Sequence, residues 1–203
     1  MHLRTAIESA ERRYNELLEQ GRFDQAAAAL NAVLESAAEV NGADSLAVLR
    51  LRSLVAAAWS LGGEHGKAKR EFEALAEAYR RVQGRFSEFA WDSRASAARC
   101  RIALGDTDGG IAALRSVLDE VVAANSDGGE MALALSFDIG EMLASTGQFA
   151  EARTLLAALH KISASSTGSR TNSRWKSRSS CEPCRRKIRS DRSLPAGGGH
   201  GSR

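Results

Sequence analysis

The sequence predicts an all-α fold, an α-solenoid of about four stacked helix–turn–helix repeats. Three observations carry that prediction: glycines that recur at a fixed step, helical apolar spacing between them, and the absence of helix breakers. Gly21, Gly63, Gly105 and Gly147 stand 42 residues apart, and each is followed five positions later by a small residue, Ala26, Ala68, Gly110 and Ala152. A second series, Gly42, Gly84 and Ser126, keeps the same step. Self-similarity at one period is the signature of a repeat architecture. Both prolines, Pro183 and Pro195, lie near the C-terminus, so nothing upstream forces a helix to stop. Aromatics make up only 5% of the chain, and the apolar content is mostly Ala and Leu, residues that suit closely packed helices.

Each unit reads as helix A, a tight turn, helix B and a short connection. The repeat domain spans residues 1–163, with units at 1–42, 43–84, 85–126 and 127–163. In unit 1, helix B carries Ala26, Leu30, Val33 and Leu34 on one stripe. In unit 2, Leu49, Val55, Ala56 and Trp59 share a face of helix A, and Ala68, Phe72, Leu75, Ala76 and Tyr79 share one of helix B. Unit 3 repeats the B stripe as Gly110, Leu114, Val117, Leu118 and Val121, and unit 4 as Ala152, Leu156 and Leu159. The first glycine of each unit supplies a positive φ at the end of helix A. Asp24 and Asp106 are the expected caps of the following helix. The small residue sits where the two helices cross closest, so a large side chain would push them apart. Trp59, Phe72, Tyr79, Trp91 and Phe137 read as core wedges between units.

These residues resemble the tetratricopeptide repeat family, in its longer kinesin-light-chain-like variety. The turn glycines fall on the family's inter-helix glycine, and Ala26, Ala68 and Ala152 on its small helix-B residue. Leu30, Phe72, Leu114 and Leu156 fall on the large apolar position four residues later. Leu49-Arg50-x-Arg52-x-x-Val55-Ala56 looks like the helix-A signature, kept in part by unit 3 as Trp91, Arg94, Ala97 and Ala98. Departures are Gly110 for Ala, Arg101 where other units have Leu or Trp, and a unit 1 without the Arg pair. The stretch SRASAARCRIALGDTDGGIAALRSVLDEV also resembles the C-terminal repeat arrays of actinobacterial serine/threonine protein kinases. That second likeness implies the regulatory arm of a bacterial signalling protein.

The resemblance implies a right-handed superhelix whose A helices line a concave groove for a peptide or a helix of another protein. Its groove-facing positions map to Glu8, Asn15, Arg50, Asp92, Arg99 and Glu141, a lining of mixed sign. Arg50 and Arg99 read equally well as solvated helix faces. A complete carboxylate clamp of the chaperone-binding kind is not evident, with only Asn15 and two arginines to contribute. Catalytic signatures are missing from the sequence: it has no phosphate-binding Gly-rich loop with a following Lys, no His-Arg-Asp loop and no Gly-x-Ser-x-Gly elbow. Asp138-Ile139-Gly140 matches a kinase metal-binding triplet only by chance, inside a helix. His2, His65, His160 and His200 are scattered. The expectation is a non-enzymatic scaffold without cofactor or metal.

Charge divides the chain. Residues 164–203 hold ten Lys/Arg and two Asp/Glu, a net of +8, which leaves residues 1–163 with 18 basic and 23 acidic groups. The pI near 9.0 therefore describes the C-terminal segment. That segment, rich in Ser, Arg and Gly, has too little apolar area to offset its ordering entropy, and disorder is expected. Cys181-x-x-Cys184 with the following Arg185, Arg186 and Lys187 resembles the opening of a fungal zinc cluster, but two thiolates do not complete a tetrahedral site. A basic segment of this kind supports weak, non-specific nucleic-acid contact, and an out-of-frame GC-rich codon stream would give the same composition. With no apolar run near the ~20 residues of a membrane span and no signal-peptide pattern, the expected setting is cytoplasmic. The array reads as ending without a cap, which suggests self-association through Leu155, Leu156 and Leu159.

Overall fold

Eight helices in four hairpins make up the described part of the chain. The computed structural model describes residues 3–124 and 129–165. Unit 1 comprises α1 (Leu3–Glu19) and α2 (Phe23–Asn41), and unit 2 comprises α3 (Leu46–Leu61) and α4 (His65–Gln83). Unit 3 comprises α5 (Glu88–Ala103) and α6 (Thr107–Ala124), and unit 4 comprises α7 (Gly129–Ser145) and α8 (Phe149–Ser165). No strand occurs among the described residues. The described residues all belong to one compact unit. The basic segment and Ser126 lie outside the described residues, as do the expectations that fall on them.

All four A-to-B turns are built alike. The glycines adopt φ of +70° (Gly21), +88° (Gly63), +98° (Gly105) and +81° (Gly147), the left-handed region that only glycine enters without strain. The residue after each glycine donates its N–H back across the turn: Arg22 to the Leu17 carbonyl (2.8 Å), Glu64 to Trp59 (2.9 Å), Asp106 to Arg101 (3.2 Å) and Gln148 to Leu143 (2.8 Å). This is a Schellman closure of helix A. The same residue's carbonyl then accepts the first bond of helix B, from Ala26, Ala68, Gly110 and Ala152, each at 3.0 Å. The small residue therefore stands one turn into helix B, at the crossing, and all four are buried.

Capping follows a different rule from the one expected. Asp106 does cap α6, its Oδ1 accepting from the Gly109 N–H at 3.0 Å. Asp24 does not cap α2; Arg22 holds that place without a side-chain bond, and Asp24 lies inside the first turn, where an acid still suits the helix dipole. The turn geometry already places the helix start at Arg22, two residues too early for Asp24. The A helices α3 and α5 are capped by Ser45 and Ser87, which accept from Val48 N (3.4 Å) and Ala90 N (3.2 Å). Each of these serines stands three residues after a positive-φ glycine, Gly42 or Gly84, so Gly-x-x-Ser is the repeat's second punctuation mark.

Burial assembles three cores of one design: the two helices of a unit and the A helix of the next. The first joins Tyr14, Leu17, Leu30 and Ala37 to Val48, Leu51, Val55 and Ala58 of α3. The second joins Leu49, Phe72, Leu75 and Tyr79 to Ala90, Ala97 and Cys100 of α5. The third joins Trp91, Leu114, Val117 and Val121 to Ala132, Leu135 and Ile139 of α7. No hairpin encloses a core alone, as a solenoid requires. Trp59 packs against both the first and second cores, the wedge role expected of it, and Phe72, Tyr79 and Trp91 are buried. Phe137 is not a wedge. It is 45% exposed, at the place where Glu11 and Ser53 are half-buried on α1 and α3 and Ala95 is buried on α5.

The described helices include none long and apolar enough to cross a membrane.

Candidate functional site

The A helices share one outward row. Thirteen residues before each turn glycine stand Glu8, Arg50, Asp92 and Ala134, all exposed. Six residues before it stand Asn15, Ala57, Arg99 and Glu141, of which Asn15 is exposed and the others half-buried. Four helices in register thus place the six predicted groove residues in two parallel lines. The first line alternates in sign over units 1 to 3 and is neutral in unit 4.

Bonds between successive A helices show that these helices adjoin. Glu11 on α1 faces Arg50 on α3 at 3.8 Å, the Tyr14 hydroxyl donates to the Leu54 carbonyl at 3.1 Å, and Ser60 contacts Cys100 at 3.5 Å. Arg99 on α5 donates from Nε (2.9 Å) and Nη2 (2.5 Å) to Asp138 on α7. Asp138 of the kinase-like triplet is therefore an ion-pair partner, Ile139 is core, and Gly140 is a contact point: a Cβ there would meet Leu156 Cδ2 at 2.8 Å. Packing accounts for all three residues.

Arg50 is the most open of these cations, its side chain 73% exposed, with a long contact to Glu11. Glu8 is bonded by Arg4 one turn away at 2.9 Å, both side chains exposed. Exposed pairs of this kind are worth about 0–1 kcal/mol, so an incoming charged group can exchange with them at little cost. On α4, the Tyr79 hydroxyl is 3.2 Å from that of Ser53. Burial pushes the Tyr79 phenol above its ordinary range; Asp92 adds to the shift, while the Ser53 hydrogen bond, Arg50 and Arg52 oppose it. Its ring stacks on Phe89 at 5.2 Å, and Phe89 is 45% exposed. Phe89, one helical turn before Asp92 on α5, was not singled out by sequence reasoning.

The signature arginines divide into two roles. Arg50 points outward, whereas Arg52 pairs with Glu71 of α4 at 2.6 Å, and Arg94, its counterpart in unit 3, pairs with Glu120 of α6 at 2.6 Å. These second arginines clasp helix A to helix B.

One open depression includes Glu8 of the row and is lined by Leu3, Arg4, Ile7, Glu8, Asn41 and Ala47; another, lined by Phe86, Glu88, Trp91 and Ala124, includes no residue of it. Neither encloses a small molecule. Among the described residues no group of three or more His, Cys, Asp or Glu could hold a metal ion.

No protein-family profile matches the sequence, and no curated protein sequence matches it. Among solved structures the chain is similar to BtubC (BKLC) from P. vanneervenii, at 18% identity and a TM-score of 0.64, over 78% of this chain and 63% of that one. The chain therefore spans less than two thirds of that structure. It also aligns with two structures of a Podosopora anserina putative kinesin light chain with nearly identical TPR-like repeats, at 19% and 20% identity over 83% and 82% of this chain and 100% and 97% of those, with TM-scores of 0.43 and 0.44. The fold is a TPR-like helical-repeat solenoid.

Proposed function

We propose that this chain is a protein-interaction scaffold that holds a peptide or a helix of another protein along the row of its A helices. The observation that carries this reading is the line Glu8, Arg50, Asp92, exposed in successive units and alternating in sign. Such a line favours an elongated ligand with matching alternation over a compact metabolite. The regulatory-arm reading rests on the Ala-rich likeness of unit 3 alone.

The test begins with peptides selected from a display library on the full chain, followed by titration calorimetry of the best binder. Arg50→Glu combined with Arg99→Glu is expected to weaken binding by roughly tenfold or more, mainly through charge mismatch, with the helical circular dichroism unchanged. Equal affinity in the reversed variant rejects the groove assignment. The second reading is nucleic-acid association through residues 164–203, favoured by their net +8. It predicts salt-sensitive retention on DNA that truncation after Ala164 abolishes; retention by the truncated chain rejects it.

A further inference from the structure

The row Glu8, Arg50 and Asp92 has a step as well as a sign. Arg50 and Asp92 stay exposed with a unit packed on either side, so their openness belongs to the repeat itself. Contacts between successive A helices fix the step. Glu11 stands ten residues before its turn glycine and meets Arg50, thirteen before the next. Tyr14 and Leu54 stand seven and nine before theirs, and Ser60 and Cys100 three and five. Each A helix is thus shifted by two to three residues against its predecessor, about 3–4.5 Å along the axis. Packed helices lie about 8–10 Å apart. Together the two displacements set successive members of the row about 9–11 Å apart.

A ligand that answers all three charges must present side chains on one face at that step. A β-strand cannot, because its same-face residues recur at about 6.7 Å and then about 13 Å. An α-helix offers about 10.5 Å between residues seven apart. Polyproline II offers about 9.3 Å between residues three apart, which make one full turn. A docked helix also needs an apolar strip to receive its own apolar face. Between the two groove lines, units 1 to 3 present Glu11, Arg12, Ser53, Leu54, Ala95 and Ser96, and none of these is an exposed large hydrophobic residue. Polyproline II keeps its backbone solvated and asks for no such strip. Beside the row, Phe89 is 45% exposed and stacked on Tyr79, a ring of the kind on which prolines pack.

We propose that the partner segment is a polyproline II stretch that carries a cation, an anion and a cation at every third residue, with proline between them. The three charges pair with Glu8, Arg50 and Asp92 in turn. This rests on the groove reading and adds to it the conformation, spacing and charge order of the ligand.

The experiment titrates fluorescein-labelled synthetic peptides with the full chain at low salt, where exposed charges are least screened, and reads anisotropy. One peptide has lysine, glutamate and lysine at every third residue, with proline and serine between. An isomer of the same composition gathers both lysines at one end. An alanine-rich helical peptide carries the three charges at every seventh residue. The first is expected to bind roughly tenfold or more tighter than the other two, from three matched pairs acting together. Arg50→Glu should invert the preference, so that the first peptide now binds better with its glutamate replaced by lysine. Equal affinity for the two isomers, preference for the helical peptide, or no measurable binding overturns the proposal, and the unmodified chain alone decides these. Display-selected binders that still depend on Arg50 would then leave the groove standing; binders indifferent to Arg50→Glu with Arg99→Glu reject the groove itself.

Discussion

Units 2 and 3 follow one plan but fill the hairpin crossing from different sides. In unit 2, Trp59 of α3 packs against the cores on either side of it, the neighbouring Ser60 is small, and Ala68 of α4 keeps its methyl group fully buried. In unit 3, Arg101 stands in the place of Trp59 and turns to solvent to pair with Asp106. Ile102, in the place of Ser60, packs against the core instead, and α6 answers with Gly110. A Cβ on Gly110 would fall on Ile102 Cγ1, well inside contact distance, and within 3.0 Å of the Ala98 carbonyl. Arg101, Ile102 and Gly110 are thus one compensated change. The repeat conserves the space at the crossing rather than the residue that fills it.

The most forceful way to break this comparison is Gly110→Ala. Overpacking of this kind costs up to about 3 kcal/mol, partly offset by the roughly 1 kcal/mol that alanine gains over glycine in a helix. Ile102→Ala alone destabilises by leaving a cavity. The double variant restores the unit 2 arrangement, and its loss is expected to fall short of the sum of the single losses by about 1–2 kcal/mol. Urea midpoints at constant slope measure the coupling, and strictly additive losses would show that the two residues do not share the space. The mirror experiment, Ala68→Gly, should cost only about 1 kcal/mol, since Ser60 leaves no clash to relieve.

A middle-sized effect separates the units by pH. Val121 of unit 3 stands where unit 2 has Tyr79, and the chain's other tyrosine is Tyr14. Burial pushes the Tyr14 phenol up to about 12 and also raises that of Tyr79. Free tyrosine titrates near 10. The folded chain therefore holds these protons more tightly than the unfolded chain, so their stabilisation is complete below pH 10 and is lost as pH rises. For Tyr14 the loss reaches about 2 kcal/mol by pH 12. Alkaline titration of the tyrosinate absorbance is expected to show both groups above 10. Tyr79→Val should remove one of them and leave the Tyr14 transition in place, and a step at the free-tyrosine value would contradict the burial of either ring.

Much of this architecture was legible in the sequence because it depends on backbone conformation. A positive φ every 42 residues demands glycine, and only a Schellman turn places the small residue where Ala26, Ala68 and Ala152 stand. Side-chain direction was less legible. Phe137 reads as core by type, yet it stands 45% exposed on α7; Asp24 reads as a cap, yet the turn starts the helix before it. Gly110 and Arg101 were visible as two departures, while their link runs through Ile102, which no single-position reading connects. The candidate groove was legible as positions only: Arg50 and Arg52 are near neighbours in sequence, and packing alone decides that one faces water and the other clasps Glu71.

That clasp gives the smallest and finest test. Arg52 binds Glu71 with both side chains about a quarter exposed, 26% and 24%, whereas Arg94 and Glu120 are 35% and 47% exposed. Glu120 compensates by collecting donors, accepting from Arg94 at 2.6 Å and from the Trp91 indole at 3.3 Å. Chiefly the Arg94 bond holds its carboxyl below the usual carboxylate range. A carboxyl depressed in the fold contributes stability above its unfolded pKa, near 4.3, and loses it as pH falls through the lower folded value. At neutral pH Glu71→Gln should cost somewhat more than Glu120→Gln, both within about 1 kcal/mol, because the less exposed pair is less screened. On the acid side Glu120→Gln should flatten the decline in thermal midpoint between pH 5 and pH 3. An acid limb that Glu120→Gln leaves unchanged would mean that the clasp of unit 3 is held by the arginine's packing over α6 and not by its charge.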